Sequence, residues 1–231
     1  MTAPPRFSSA DRHKLLHYLH GSIPLRKQRL LAIAWCRRIT HLIPEDIGHT
    51  ALEAAAQLAE GRPVPFDLER LADHLNYCAF SYIDGFRRER ELNIASDTLY
   101  ATYYAIQPDF KRVRNHVSWA AAYARCPQLG FPAGPMFHDA VQEEQATMWP
   151  QLLDVFGNAY QSVTLAPRWR TTNVHELART IYDEEAFDRL PILADALEDA
   201  GCTDRDILDH CRQPGEHVRG CWVVDLVLGK K

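Results

Sequence analysis

Five potential metal-ligating side chains fall within twenty residues near the end of the sequence. They are Cys202, His210, Cys211, His217 and Cys221. Thiolate sulfur and imidazole nitrogen are preferred ligands of Zn²⁺ in proteins. If a helix began near His217, then His217 and Cys221 would lie one turn apart on the same face, where both can bind one tetrahedral ion.

The spacing of these five residues favours another interpretation. The sequence lacks the paired C-x-x-C knuckles that are common in zinc modules. Cys211 fits the apolar stripe of its own helix, and free cysteines are often buried because they behave as small hydrophobic residues. We therefore interpret the five as core thiols and imidazoles, and predict no metal, no cofactor and no catalytic residue. A zinc-containing module or a metal-assisted hydrolase is the alternative.

Two other arrangements have the residue types of catalytic groups. Cys36 and His41 are five apart on a predicted helix, so their side chains point about 140° apart and do not form a thiolate and base pair. Asp195 and Asp199 share a helix face, as solvated acidic residues commonly do, and the acidic pair at 143–144 has the same interpretation. Neither arrangement predicts catalysis.

Sequence motifs of common enzyme classes are absent. The chain contains no G-x-G-x-x-G, no G-x-x-x-x-G-K-[ST], no G-x-S-x-G and no H-E-x-x-H. The sequence therefore favours a protein that is not an enzyme.

A mixture of basic and aromatic residues in the middle of the chain is the strongest signal for binding single-stranded nucleic acid. Acidic residues at 89, 91 and 109 reduce the positive charge of this segment. The favoured interpretation is therefore a solvated charged face over an aromatic core. The residues are Arg87, Arg88, Arg90, Lys111, Arg112 and Arg114, with Tyr100, Tyr103, Tyr104 and Trp119.

The C-terminal segment carries a resemblance. The run LPILADALEDAGC, followed by HCRQPGEHVRGCWVVDLVLGK, resembles the C-terminal signature of a large uncharacterised bacterial family of planctomycete type. The N-terminal run RKQRLLAIAWCRRITHLI resembles the same family less closely. The resemblance implies a bacterial, cytosolic protein, and it assigns no activity and no catalytic residue.

Composition sets outer limits on function. The chain has 231 residues, 46% of them apolar, and a formal charge of -4, so it gives no long-range attraction to nucleic acid or anionic lipid. No apolar stretch approaches the roughly 18 residues that cross a bilayer, and the N-terminus lacks a signal-peptide core. The sequence predicts a cytoplasmic protein with reduced thiols and no membrane partner.

Apolar periodicity predicts an all-α fold, a bundle-like helical array with a compact C-terminal helical module. The predicted division is a helical region over 1–126, a Pro/Gly-rich connector over 127–135 and the module over 136–231. In the first region, the predicted helices span 11–20, 25–43, 45–60 and 67–82, with further starts at 96–97 and 108 and an interruption at Gly85. Asp67 is a predicted N-cap.

Helix-start signals divide the C-terminal module further. Asn173 and Thr203 are predicted N-caps, with Glu176 and Asp206 three residues on. A helix over 138–156 is predicted to kink at Pro150, residues 163–165 to form a brief strand, and residues 218–228 to form a buried terminal helix.

These expectations together favour a non-catalytic adaptor that binds another protein. Exposed helical surfaces with aromatic residues make good grooves for partners, and residues 75–135 hold many aromatics.

Overall fold

The computed structural model describes residues 24–44, 46–83, 90–125, 134–157 and 163–230. In these ranges the chain forms α-helices and three short 3-10 helices, without a strand, which confirms the predicted all-α fold. No helix among them combines the length and hydropathy that a bilayer span requires. The α-helices are α1 (Leu25–Arg37), α2 (Asp46–Ala59), α3 (Leu68–Ser81), α4 (Arg90–Ile106), α5 (Phe110–Arg125), α6 (Pro135–Phe156), α7 (Thr172–Glu184), α8 (Leu190–Asp199), α9 (Arg205–Arg212) and α10 (Trp222–Leu228).

Helix α1 forms the centre of the first hydrophobic core. Every residue from Leu30 to Cys36 is buried, because α2, α4, α5 and α6 pack around the helix. A helix that is apolar on all sides is stable when it is enclosed in this way. Trp35 donates its indole N–H to the backbone oxygen of Met148 at 3.2 Å. Helix α6 therefore belongs to the first core.

A second core lies within the C-terminal helical module and is built by α7 to α10. Buried side chains from all four helices meet there, including Val174, Leu193, Ile207 and Val224. The strand predicted at 163–165 is wrong, because the described residues supply no second strand with which it could pair.

The last helix is shorter than predicted. It begins at Trp222 rather than at Val218, since Gly220 adopts a left-handed backbone conformation with φ of 100°. Gly220 also lies close to α1, where an added Cβ would sit 3.1 Å from Leu30 Cδ1. Only glycine accepts both this conformation and this close approach without strain.

Two of three predicted N-caps are shifted. Asp67 caps α3 as predicted, and its carboxylate accepts from two N–H groups of the first helical turn. Asp204 caps α9 in place of Thr203, which lies one residue too early. Thr171 caps α7 in place of Asn173, which lies inside the first turn. A cap must sit just outside the helix, where its side-chain oxygen reaches the free N–H groups.

Two predicted boundaries in the first core are wrong for identifiable reasons. The helix predicted over 25–43 ends at Arg37, where the Thr40 hydroxyl donates to the Arg37 carbonyl at 2.9 Å and so competes with the helical pattern. The start predicted at residues 96–97 falls in the middle of α4, which begins at Arg90, because residue 96 faces the core instead of capping.

Other predictions lie outside the described residues. These are the helix over 11–20, the interruption at Gly85 and most of the connector, up to residue 133. The division into 1–126 and 136–231 stays a prediction. Helix α6 continues through Pro150.

Candidate metal centre

A buried carboxylate near the end of α6 forms the centre of the candidate site. Asp154 is 2% exposed and lies between Leu153 and Val155 in an apolar stretch. A carboxylate in such a place needs partners, because burial of an unpaired charge costs several kcal/mol. The sequence analysis missed Asp154, although a single acidic residue within the run LLDVF is a signal of this kind.

Two histidines and a backbone amide surround Asp154. Its Oδ1 lies 2.6 Å from Nδ1 of His217 and 3.1 Å from Nε2 of His210. Its Oδ2 accepts a hydrogen bond from the Val218 N–H at 2.8 Å. Three different segments thus meet at one carboxylate, which fixes the loop between α9 and α10 against α6.

A cysteine completes the group. Sγ of Cys221, the residue that precedes α10, lies 3.2 Å from Nε2 of His210. Nδ1 of His210 lies 3.1 Å from the side-chain nitrogen of Gln213, which orients the ring. The two imidazole rings meet edge to face with centroids 5.1 Å apart, and Trp222 covers His210 at the same centroid distance. The group is closed to solvent on these sides.

Burial and hydrogen bonding shift the pKa values of this group in opposite directions. Burial raises the pKa of Asp154, but hydrogen bonds to both histidines outweigh it, so the net pKa is lowered. Burial opposes protonation of His217, yet the Asp154 carboxylate outweighs it and the net pKa is raised. Burial lowers the pKa of His210 and raises that of the Cys221 thiol. The contact between Asp154 and His217 therefore favours a negative carboxylate and a protonated imidazole.

One polar atom of the cluster lacks a partner. Nε2 of His217 is buried and makes no hydrogen bond to the described residues. Buried polar atoms nearly always have a partner, and an orphaned one points to a missing ion or water. One imidazole cannot give both of its nitrogens to the same ion, so if Nδ1 of His217 binds a metal, Nε2 needs a water or backbone partner instead.

The donor set and its dimensions suit zinc. The ligand atoms of Asp154, His210, His217 and Cys221 all lie within 4.8 Å of one another. Zinc–ligand bonds of 2.0 to 2.3 Å give tetrahedral edges of about 3.3 to 3.6 Å. The separations of 3.1 and 3.2 Å around His210 are close to that range. The 2.6 Å between Asp154 and His217 is a hydrogen bond, and the two atoms have to move apart by about 0.7 Å to admit an ion.

Comparison with protein-family models, curated proteins and solved structures found no match for this chain.

The structure brings together three of the five residues considered from the sequence. His210, His217 and Cys221 meet, whereas Cys202 and Cys211 lie in the second core. The condition for bringing His217 to Cys221 along a helix is not met, because both residues precede α10 and a loop brings them together. For Cys202 and Cys211, the interpretation as core thiols agrees with their burial.

The other catalytic candidates do not assemble a site. Cys36 is fully buried, which raises the pKa of its thiol, and His41 is exposed. Asp195 is exposed and accepts from Arg212 at 2.6 Å. Glu144 is buried against Arg38 at 2.9 Å, in contrast to the solvated position expected for it.

Two basic side chains of the predicted nucleic-acid surface contact other groups of the chain, while Arg87 and Arg88 lie outside the described residues. Arg90 donates to the backbone oxygens of Tyr123 and residue 124 at 2.7 and 2.9 Å, at the end of α5. Arg112 donates to the Tyr104 hydroxyl at 2.6 Å, and His116 stacks on the Tyr104 ring at 5.5 Å. These contacts hold Arg90 and Arg112 between α4 and α5.

Proposed function

We propose that this chain is a zinc-containing helical protein, in which one Zn²⁺ joins α6 to the loop and helix that end the C-terminal module. The observation that supports it is the convergence of Asp154, His210, His217 and Cys221 in a buried site. Both nitrogen and sulfur donors are present, which is the ligand chemistry of zinc.

The number of ligands favours a structural role over hydrolysis. Catalytic zinc usually has three protein ligands and one open position for water, whereas structural zinc has four protein ligands. Asp154, His210 and Cys221 are buried and the His217 side chain is only 7% exposed, so the four donors leave no such position. A metal-assisted hydrolase is therefore the weaker alternative.

Zinc binding would stabilise the folded state by joining segments that are far apart in the sequence. Asp154 is distant in sequence from His210, so a single ion would tie the end of the first core to the last loop of the second. Because the site does not exist in the unfolded chain, the free energy of metal binding contributes to folding.

The test is the metal content of protein purified without chelators, measured by inductively coupled plasma mass spectrometry. We expect about one zinc per chain, and a near-complete loss in Cys221→Ser or His217→Ala. Cys211→Ser is the matched control, since Cys211 is equally buried but lies outside the cluster. Circular dichroism confirms that each variant is folded. Wild-type protein without zinc would refute the proposal.

A second candidate function is adaptor binding to another protein, through the outer face of α3. Tyr77 and Phe80 are 72% and 54% exposed and lie three residues apart, next to Ile83, which is 54% exposed. Exposed apolar clusters of this kind are uncommon on monomeric proteins and mark interaction surfaces. Helix α3 packs mainly on α4, which leaves this face uncovered by the described residues.

A photo-crosslinking amino acid at position 77, used in cells, tests the adaptor proposal. We expect a defined adduct with one other protein, which Phe80→Ser abolishes. The control is the same amino acid at Glu176, an exposed position on α7. Equal adducts from both positions, or none from position 77, would refute it.

Cytoplasmic localisation and a preference for protein over nucleic acid remain part of the proposal. The five cysteines among the described residues form no disulfide, which agrees with a reducing compartment. We expect no salt-sensitive mobility shift with single-stranded nucleic acid.

A further inference from the structure

A cleft lies beside α7. Its volume is about 630 Å³, which is within the usual range for small-ligand sites. The end of α2, one face of α7 and the C-terminal residues form its walls. It therefore lies where the two cores meet, a common place for ligand sites.

Tyr182 forms the floor of the cleft and is held rigidly. Its hydroxyl donates to Glu60 and accepts from the Arg26 guanidinium at 2.8 Å. Nζ of Lys230 lies 4.1 Å from the ring centroid, and Cζ of Arg219 lies 5.1 Å from it. Cations over an aromatic face are attracted to it. Glu60 also pairs with Lys230 at 3.0 Å.

The rim of the cleft has excess positive charge. Four cationic side chains face the carboxylates of Glu60 and Asp183, which gives a formal charge of +2 with His175 neutral. The four are Arg62, Arg179, Arg219 and Lys230.

Several of the basic groups have unused hydrogen-bonding capacity. The side chains of Arg62 and His175 have no partner among the described residues, whereas Arg219 pairs with Glu185 at 3.4 Å and donates to the Tyr182 backbone oxygen at 3.2 Å. Arg179 has one ion-pair partner among the described residues, Asp183, at 3.8 Å. Both side chains of this pair are exposed. Exposed pairs of this kind contribute little and exchange easily for a better anion.

We propose that this cleft binds a small molecule through a phosphate group, with Arg62 and Arg179 as its main contacts. A phosphate monoester carries a charge of about -1.5 to -2 at neutral pH, which matches the excess charge of the cleft. Guanidinium groups bind phosphate through two parallel N–H···O bonds. The paired Glu60 at the floor favours a ligand whose phosphate stays at the rim.

Isothermal titration calorimetry with inorganic phosphate tests the proposal at low, constant ionic strength. We expect saturable binding, and roughly tenfold weaker binding in Arg62→Gln and in Arg179→Gln, since each removes a charge-assisted hydrogen bond. Arg70→Gln is the matched control, because Arg70 is an exposed arginine on α3 away from the cleft. All three substitutions are at exposed positions, and thermal melting verifies their folding.

Succinate separates phosphate recognition from general anion attraction, since it carries two negative charges spread over a longer molecule. We expect it to bind more weakly than phosphate. Absence of saturable phosphate binding, equal binding of succinate, or equal weakening by Arg70→Gln would overturn the proposal. None of these arginines belongs to the metal cluster, so the result is independent of zinc.

Discussion

At the scale of single residues, the candidate metal centre depends on Asp154. The sequence identified His210, His217 and Cys221 by type and spacing, since they fall within one short segment. It could not identify Asp154, because spacing along the chain does not reveal contacts between residues so far apart. The apolar neighbours of Asp154 were the available signal, and its contacts in the structure explain why an acidic residue is tolerated there.

Asp154→Asn is expected to lose zinc and to lower the free energy of unfolding by about 2 kcal/mol. The amide can still accept from the Val218 N–H, but it loses the charge that stabilises the histidines and the metal. Urea denaturation measures the stability and mass spectrometry the metal. Glu143→Gln, which neutralises an exposed acid of the same helix, serves as control. If the Asp154→Asn variant keeps both zinc and stability, this assignment is contradicted.

At the scale of elements, periodicity predicted the helices more accurately than their ends. Helix α2 was predicted over 45–60 and spans Asp46–Ala59, because its small apolar residues recur at helical spacing. The caps of α7 and α9 were misplaced by one or two residues, because two good capping residues stand close together in each case. The backbone conformation just before the helix decides which of the two residues is the cap, and this conformation cannot be read from the sequence pattern.

The cap of α9 can be tested directly. Asp204→Ala is expected to lower the free energy of unfolding by about 1 kcal/mol, because two N–H groups lose their acceptor. Thr203→Ala, at the position predicted from the sequence, should change stability by less than about 0.5 kcal/mol. Urea denaturation of both variants decides between the two caps. Equal losses would show that the Asp204 cap contributes no more than its neighbour.

At the scale of the whole molecule, charged contacts join α1 to α10. Asp225 is buried in α10 and pairs with Arg26 at 2.8 Å and Lys27 at 2.9 Å, both in α1. Lys27 also donates to the backbone oxygens of Val155 and Gly220. The formal charge of the sequence gave no sign of this connection, since it depends on which charges are buried together. The resemblance to a planctomycete-type family also stays a prediction.

A double-mutant cycle measures this connection. For Arg26→Gln and Asp225→Asn, we expect a coupling free energy above about 1 kcal/mol, since Asp225 is buried and the pair is hydrogen-bonded twice. The exposed pair Arg37 and Glu185 provides the matched cycle, with an expected coupling below about 0.5 kcal/mol. A similar coupling free energy in both cycles would mean that the pair of Arg26 and Asp225 stabilises the contact between α1 and α10 no more than an exposed pair does.

The central claim is that one zinc ion binds at the junction of α6 and the final loop. Zinc-edge X-ray absorption spectroscopy of the purified protein tests it most directly. We expect four-coordinate zinc with one sulfur at about 2.3 Å and three nitrogen or oxygen ligands at about 2.0 to 2.2 Å. Bound zinc that lacks a sulfur ligand, or protein that holds no zinc at all, would contradict the account.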